Sequence, residues 1–194
     1  KDDLMVQFET IKANIEKKWP DSLNIVYFQA FSNTYGSIEK LKETFEPFIN
    51  KENVIGMSIA TRCDCINEEV VNYLKTLKKH FKEFWVELGL QSANKKTMEL
   101  LNLGYTYKEF KDAVNLLAKA DIDVIVHIID GLPFESKQDQ INTILKINKL
   151  KFKGLKIHVL NVIENTKIAK MYLNNEFEVI SEEKFIDTSI SQLL

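Results

Sequence analysis

Five short runs rich in β-branched and aromatic residues, each followed by a helix-patterned segment, recur along this chain. They begin near residues 24, 54, 84, 123 and 155. An interval of about 30 residues is the length of a strand–helix–strand unit. The runs are NIVYFQAF (24–31), VIGMSIA (54–60), FWVELGLQ (84–91), DVIVHIID (123–130) and the segment from Leu155 to Leu160. They are mostly continuous rather than alternating, the pattern of strands covered on both faces, so the sequence predicts an α/β protein with one parallel sheet. No GxGxxG follows the first run, which argues against a dinucleotide-binding sheet. A barrel or part-barrel is the better expectation, with five strands visible where a closed barrel has eight.

The intervening helices are marked by their caps and stripes. Leu4, Phe8, Ile11 and Ile15 form one apolar stripe before Pro20. Ser37 can cap a helix carrying Ile38, Leu41, Phe45 and Phe48, and a helix from about Asn67 turns Val70, Val71, Leu74 and Leu77 inward. A short helix over 95–101 is broken between Asn102 and Tyr105. Thr106 with Glu109 makes a capping box ahead of Phe110, Ala113, Val114 and Leu117. Ser136 and Asp139 open the next helix, with Ile141, Ile144, Leu145 and Asn148 on one face. A short helix near Lys167 to Tyr172 and a helical segment after Ser181 complete the chain. No Pro- or Gly-rich linker divides it, so residues 1–194 read as one core domain with 163–194 as its C-terminal helical extension.

Composition narrows the function classes. With 26 Lys and Arg against 28 Asp and Glu, the net charge of -2 neither draws in nor repels polyanions as a whole. The lysines at 75, 78 and 79 and at 149, 151 and 153 read as solvated faces. No apolar run approaches a membrane span and KDDLMVQF is not a signal peptide, so no membrane partner and a cytoplasmic location are expected. The chain begins at Lys1 inside a helical pattern, which points to an upstream segment or an artificial boundary. Cys63 and Cys65, one residue apart in a strand-like context, read as free thiols rather than a bridge.

In parallel α/β proteins the reactive groups gather at the carboxyl ends of the strands. Every unit here contributes some: Gln29, Asn33, Thr34 and Tyr35; Thr61, Arg62 and Asp64; Glu87, Gln91, Ser92 and Asn94; His127, Asp130 and Glu135; Lys156, His158 and Asn161. Glu87 is a charged residue within an apolar run, so it either serves a site or pairs with a cation such as Arg62. The pairs Tyr27-Phe28 and Phe84-Trp85 read as packing. Three histidines, one of them (His80) ending a helix, are too few for a metallohydrolase barrel, and no P-loop, nucleophile elbow or zincin motif occurs.

Taken in order, YFQAFSNTY (27–35), SIATRCDCI (58–66), VELGLQSANKKTMELLN (86–102), IIDGLPFES (128–136) and GLKIHVLNV (154–162) resemble the radical S-adenosylmethionine superfamily. More narrowly they resemble its YhcC-like group, related to the Elongator catalytic subunit and the methylthiotransferases. The resemblance implies a TIM-barrel-like partial (βα) barrel in which the visible strands are barrel strands two to six. It implies S-adenosylmethionine and an iron–sulfur [4Fe-4S] cluster as cofactors. The cluster-binding CxxxCxxC motif does not occur, so the cluster's ligands are expected outside this chain, and Cys63 and Cys65 are not among them.

The resemblance also assigns candidate cofactor contacts. Gln29, Asn33, Thr34 and Tyr35 lie where the family holds the methionine amino and carboxylate groups, with Ser58 and Arg62 beside them. Glu87 resembles a cofactor contact, Gln91 and Ser92 approach the ribose, Gly131, Leu132 and Pro133 pass the adenine, and His158 and Asn161 finish the adenosyl pocket. Three departures stand out: Leu103-Gly104-Tyr105 for the common Arg-Gly-His, Phe134 for a glycine, and Cys63 for a proline. The implied reaction of the intact protein is reductive cleavage of S-adenosylmethionine to a 5′-deoxyadenosyl radical. The substrate is left open, tRNA enters by analogy, and a flavodoxin or ferredoxin is the implied electron donor. The alternative is a degenerate, non-catalytic homologue or a nucleotide- or RNA-binding scaffold.

Overall fold

The computed structural model describes residues 3–194. Five strands, β1 (Asn24–Phe28), β2 (Val54–Thr61), β3 (Glu83–Gln91), β4 (Asp123–Asp130) and β5 (Gly154–Val159), form one sheet in the order β1-β2-β3-β4-β5, every pair parallel. Helix α1 (Leu4–Glu16) precedes the sheet. Crossovers are made by α2 (Ile38–Phe45), α3 (Glu68–Lys78), the pair α4 (Lys95–Leu100) and α5 (Tyr107–Lys119), and α6 (Lys137–Ile147). The tail carries α7 (Lys167–Leu173) and α8 (Glu182–Leu193). Single 3-10 turns at Glu46–Phe48 and Cys63–Cys65 are the local elements that periodicity did not indicate.

The strand order decides between the two expected architectures. Crossovers of one hand stepping always in the same direction put every helix on the same face of the sheet, as in a barrel, whereas a doubly wound sheet reverses direction at its switch point. The core agrees: Leu41 and Phe45, Leu74 and Leu77, Phe110 and Leu117, and Ile144 and Ile147 pack in one cluster with Met57, Ile59, Val86, Leu88, Val124 and Val126. These strand residues occupy alternate positions, so Ser58, Glu87, His127 and their alternates face the other way, into an open, curled partial barrel.

The caps act as expected. Asn67 accepts from Val70 N at 2.9 Å, and both Thr106–Glu109 and Ser136–Asp139 close reciprocal capping boxes. Two expected faces need correction. The buried face of α6 is Gln140, Thr143, Ile144 and Ile147, while Leu145 is exposed. The stripe of α1 is only half used: Phe8 meets Phe48 edge-on at 5.4 Å, but Leu4 and Ile11 stay exposed beside Ile25. They lie against β1, which ends the sheet, so no further strand among the described residues covers them.

Helix α8 returns to the sheet through a buried polar pair. Asp130 Oδ1 accepts from Gln192 Nε2 at 2.9 Å, while Asp130 Oδ2 and Gln192 Oε1 are both buried without a partner. Burial raises the Asp130 pKa, and the Gln192 bond opposes that only in part. The protonated acid is therefore favoured in the fold, and the stability it confers is present below the unfolded pKa and lost as pH rises through the folded one. Asparagine at 130 carries no charge to bury at any pH. Asp130→Asn is expected to gain about 1 kcal/mol in urea melts at pH 8 and less at pH 4; a loss at pH 8 would sink this account of the pair.

Candidate functional site

The centre of the concave face is Glu87, whose side chain is 2% exposed. The ladder register explains why so many groups reach it. Tyr27, Ser58 and Trp85 are neighbours in one cross-strand row. Gly89, His127 and Lys156 form another. Glu87 lies between these rows on β3, with Ala60 and Ile125 beside it.

Five donors surround the Glu87 carboxylate. Tyr27 Oη and His127 Nε2 lie 2.9 and 2.6 Å from Oε2, and Lys156 Nζ is 2.6 Å from the same oxygen. Ser58 Oγ and Trp85 Nε1 donate to Oε1 at 2.7 and 2.9 Å. Burial by itself raises the Glu87 pKa, but the donors, led by Lys156, hold it down at about 2. Burial and the adjacent carboxylate push Tyr27 up to about 12, so its hydroxyl stays a donor. The Lys156 ammonium also lies 4.8 Å from the Tyr27 ring centre. His158, one step further along β5, places Nε2 3.0 Å from His127 Nδ1, with the rings 5.0 Å apart.

This layer corrects two sequence expectations. Arg62 does not pair with Glu87; its guanidinium grips Asp64 at 2.9 and 2.8 Å. Phe28 and Phe84 pack in the core, but Tyr27 and Trp85, their neighbours along the strand, bind Glu87. Adjacent strand residues point to opposite faces, and only one face here is apolar. His127 and Lys156 turn out to be central, and their convergence on Glu87 was not legible in the sequence.

The remaining candidates fall into separate groups. Gln91 sits at a bulge in the β3–β4 ladder with φ +66°, and its Nε2 folds back so closely that a Cβ on Gly89 would stand 2.5 Å from it. Gln29 and Asn161 are exposed at the ends of β1 and β5, and Asn161 Nδ2 reaches Val159 O at 3.3 Å. Asn33 and Thr34 tie the loop after β1 to β2. Asn33 Nδ2 donates to Ala60 O at 2.8 Å, and Thr34 Oγ1 meets Thr61 Oγ1 at 2.7 Å. Thr34, Tyr35 and Arg62 line a cavity of about 770 Å³ beside this loop. Ser92 bonds Glu135, and Gly131, Leu132 and Pro133 line a separate hollow against the segment before α8. Glu87, with its oxygens taken up by five donors, organises the layer.

The departures also have structural roles. Tyr105 donates to Gly89 O at 2.7 Å and carries the Arg62 guanidinium 5.1 Å from its ring centre. Phe134 adopts φ +65°, a conformation that suits glycine, and its ring is exposed. Cys63 is buried, which pushes its thiol up to about 12, and burial raises Cys65 as well. Among the described residues no group of three or more His, Cys, Asp or Glu could hold a metal ion, so a cluster does not fit the residues present. No helix among them is long and apolar enough to cross a membrane.

A singly wound parallel sheet with a polar layer on its concave face defines a (βα) partial barrel. The family is settled by sequence: a model of the radical SAM superfamily matches residues 8–147, and one of the radical SAM C-terminal domain matches 152–194. The chain belongs to the radical SAM superfamily. It is 38% identical over 192 residues to the protein YtqA of Bacillus subtilis, covering 99% of this chain and 59% of that protein. It is 33% identical over 186 residues to MJ0486 of Methanocaldococcus jannaschii, covering 96% and 56%. The chain thus spans less than two thirds of these curated relatives. Among solved structures, Elp3 of Methanocaldococcus infernus with an N-terminal deletion superposes with a TM-score of 0.79 at 20% identity, over 94% of this chain and 47% of that one. That likeness concerns the fold.

Proposed function

We propose that this chain is the S-adenosylmethionine-binding part of a radical enzyme that cleaves the cofactor reductively to a 5′-deoxyadenosyl radical. The observation that carries the reading is a polar layer to which all five strands of a radical SAM fold contribute, beneath neutral amides at the strand ends. In the longer protein a [4Fe-4S] cluster held outside this chain, served by a flavodoxin- or ferredoxin-type donor, would supply the electrons. In this chain, Gln91 and Asn161 offer donors and acceptors toward the ribose and adenine edges, and Gln29 and Tyr35 lie nearest the methionine end. Arg62, already paired with Asp64, faces the same loop cavity as Tyr35 and suits the cofactor carboxylate. A cytoplasmic location follows from the same reading.

For the substrate, tRNA is favoured by likeness to proteins named for tRNA chemistry. These include a tRNA uridine(34) acetyltransferase of Methanocaldococcus jannaschii, 26% identical over 152 residues, and a tRNA-2-methylthio-N(6)-dimethylallyladenosine synthase of Thermodesulfovibrio yellowstonii, 32% identical over 92. The alternative is a non-catalytic nucleotide- or RNA-binding homologue.

Calorimetric titration of the chain with S-adenosylmethionine tests the first part, and 5′-deoxyadenosine release by the longer parent protein after anaerobic iron–sulfide reconstitution tests the second. Binding with release supports the enzyme; binding without release supports the alternative; no binding removes the proposal. Gly89→Ala adds a sharper check. Its Cβ meets the flexible end of Gln91 rather than backbone, so the side chain swings away at little cost to the fold. Loss of one ribose hydrogen bond is expected to weaken binding about tenfold, or about 1.4 kcal/mol. Unchanged affinity would remove Gln91 from the site.

A further inference from the structure

Glu87, His127 and His158 make a chain of hydrogen bonds that begins at a buried carboxylate on β3 and ends at an exposed imidazole on β5. We propose that this chain is a proton relay that presents His158 Nδ1 to the concave face as a base for an N–H or O–H group of the substrate. The proposal rests on the reading of the concave face as the reaction site, and it assigns a substrate chemistry to it.

The direction of the relay follows from which atoms can donate. A carboxylate only accepts, so the His127 nitrogen facing Glu87 Oε2, Nε2, carries a hydrogen. In neutral His127, Nδ1 is then the acceptor. The atom facing it, His158 Nε2, must supply the hydrogen of the 3.0 Å bond. Neutral His158 is thereby fixed with its remaining lone pair on Nδ1, the nitrogen outside the chain. A carboxylate that orients one imidazole through its far nitrogen is a known means of setting tautomers; here the setting passes through two rings.

The step balances without any oxidant. A substrate N–H or O–H bond breaks, its electron pair stays on the substrate atom, and the proton bonds to His158 Nδ1. The hydrogen on His158 Nε2 passes to His127 Nδ1. His158 ends neutral in its other tautomer, and His127 ends as an imidazolium against the Glu87 carboxylate. The charge thus moves inward to an anion already in place, so little reorganisation accompanies proton uptake.

Several other groups face the relay. From β5, Lys156 lies on Glu87 and adds positive charge near His127; from β1, Tyr27 donates to Glu87; from β2 and β3, the neutral Ser58 and Trp85 complete the shell. Burial lowers the His127 pKa, with Lys156 and His158 acting in the same sense and Glu87 opposing. His127 is therefore neutral at rest, as the relay needs. His127 and Glu87 are positioning residues in this scheme, and only His158 meets the substrate.

The chain has three histidines, so its imidazole nitrogens can be resolved individually. The test is long-range ¹H–¹⁵N correlation on histidine-labelled chain between pH 5 and 9, assigned with His80→Gln and His127→Phe. Both His127 and His158 are expected as Nε2–H tautomers at pH 8. In His127→Phe, which removes the acceptor, His158 should become a mixture of tautomers. A Nδ1–H tautomer at either residue in the wild-type chain, or a His158 spectrum indifferent to His127→Phe, overturns the relay. If the variant does not fold, the wild-type tautomers alone decide. These readings do not depend on S-adenosylmethionine, so failure of cofactor binding with correct tautomers discards the enzyme reading, and wrong tautomers with intact binding discard only the relay.

Discussion

Glu87→Ala is expected to lower the unfolding free energy by about 3–5 kcal/mol, because it strips the acceptor from five donors at once and leaves cationic and polar groups facing a void. Part of the loss is recoverable, since the Lys156 side chain is 41% exposed and can turn to solvent. Ser58 and Trp85 cannot relax so freely, each being fixed in the sheet and bonded to Oε1. Glu87→Gln keeps the volume but turns an NH₂ group toward a ring of donors, so about half the loss is expected to remain. Urea unfolding at pH 7 measures both variants; a loss below about 1 kcal/mol for Glu87→Ala would mean that the layer is solvated and adaptable.

The same carboxylate predicts a pH dependence. Its pKa is lowered from 4.5 to about 2 in the fold. A depressed acid contributes stability that is fully present above the unfolded pKa and is lost as pH falls through the folded value. The window therefore runs from about pH 5 down to about pH 2, and the integrated contribution is about 3 kcal/mol at 1.36 kcal/mol per unit. Other carboxylates titrate in that range, so the informative quantity is the difference between wild type and Glu87→Gln. That difference is expected to shrink steadily below pH 5. A difference that stays constant to pH 3 would contradict the strongly ionised Glu87.

Gly56→Ala is the second large effect, with an expected loss of about 3 kcal/mol. A Cβ at 56 would lie 2.7 Å from Glu83 O and 2.8 Å from Glu83 Cβ, with Ile25 Cγ1 at 3.1 Å. The carbonyl belongs to the start of β3, the ladder partner of Gly56, so relief requires the two strands to part. Gly154→Ala is the matched control within the same sheet. Its nearest neighbour is Ile125 Cδ1 at 2.7 Å, the end of a side chain that can change rotamer, and a cost of about 1 kcal/mol is expected. Equal losses for the two variants would show that crowding alone, rather than the immobility of the neighbour, sets the cost.

The strands were legible because their signal is local. Runs beginning at 24, 54, 84, 123 and 155 became strands beginning at 24, 54, 83, 123 and 154, since dense β-branched and aromatic residues between capped helices leave few alternatives. Thr106 with Glu109 and Ser136 with Asp139 were legible for the same reason: a capping box is closed within four residues. The inward face of α6 was misread because Gln140 and Thr143 are buried polar residues, and hydrophobic spacing passes over them. The half-exposed stripe of α1 was misread because amphipathicity says that a face is apolar and not that something covers it.

By itself, the sequence determined the order and kind of the elements, the family, and the presence of polar residues at the end of every strand. Only the tertiary structure decided which of them meet. Glu87 could have paired with Arg62 or with nothing; it gathers Tyr27, Ser58, Trp85, His127 and Lys156, drawn from positions up to 69 residues away. The physical reason is register. A strand's pattern fixes which side chains share a face, but pairing across the sheet fixes their height, and a slip along any ladder would separate Glu87 from its donors.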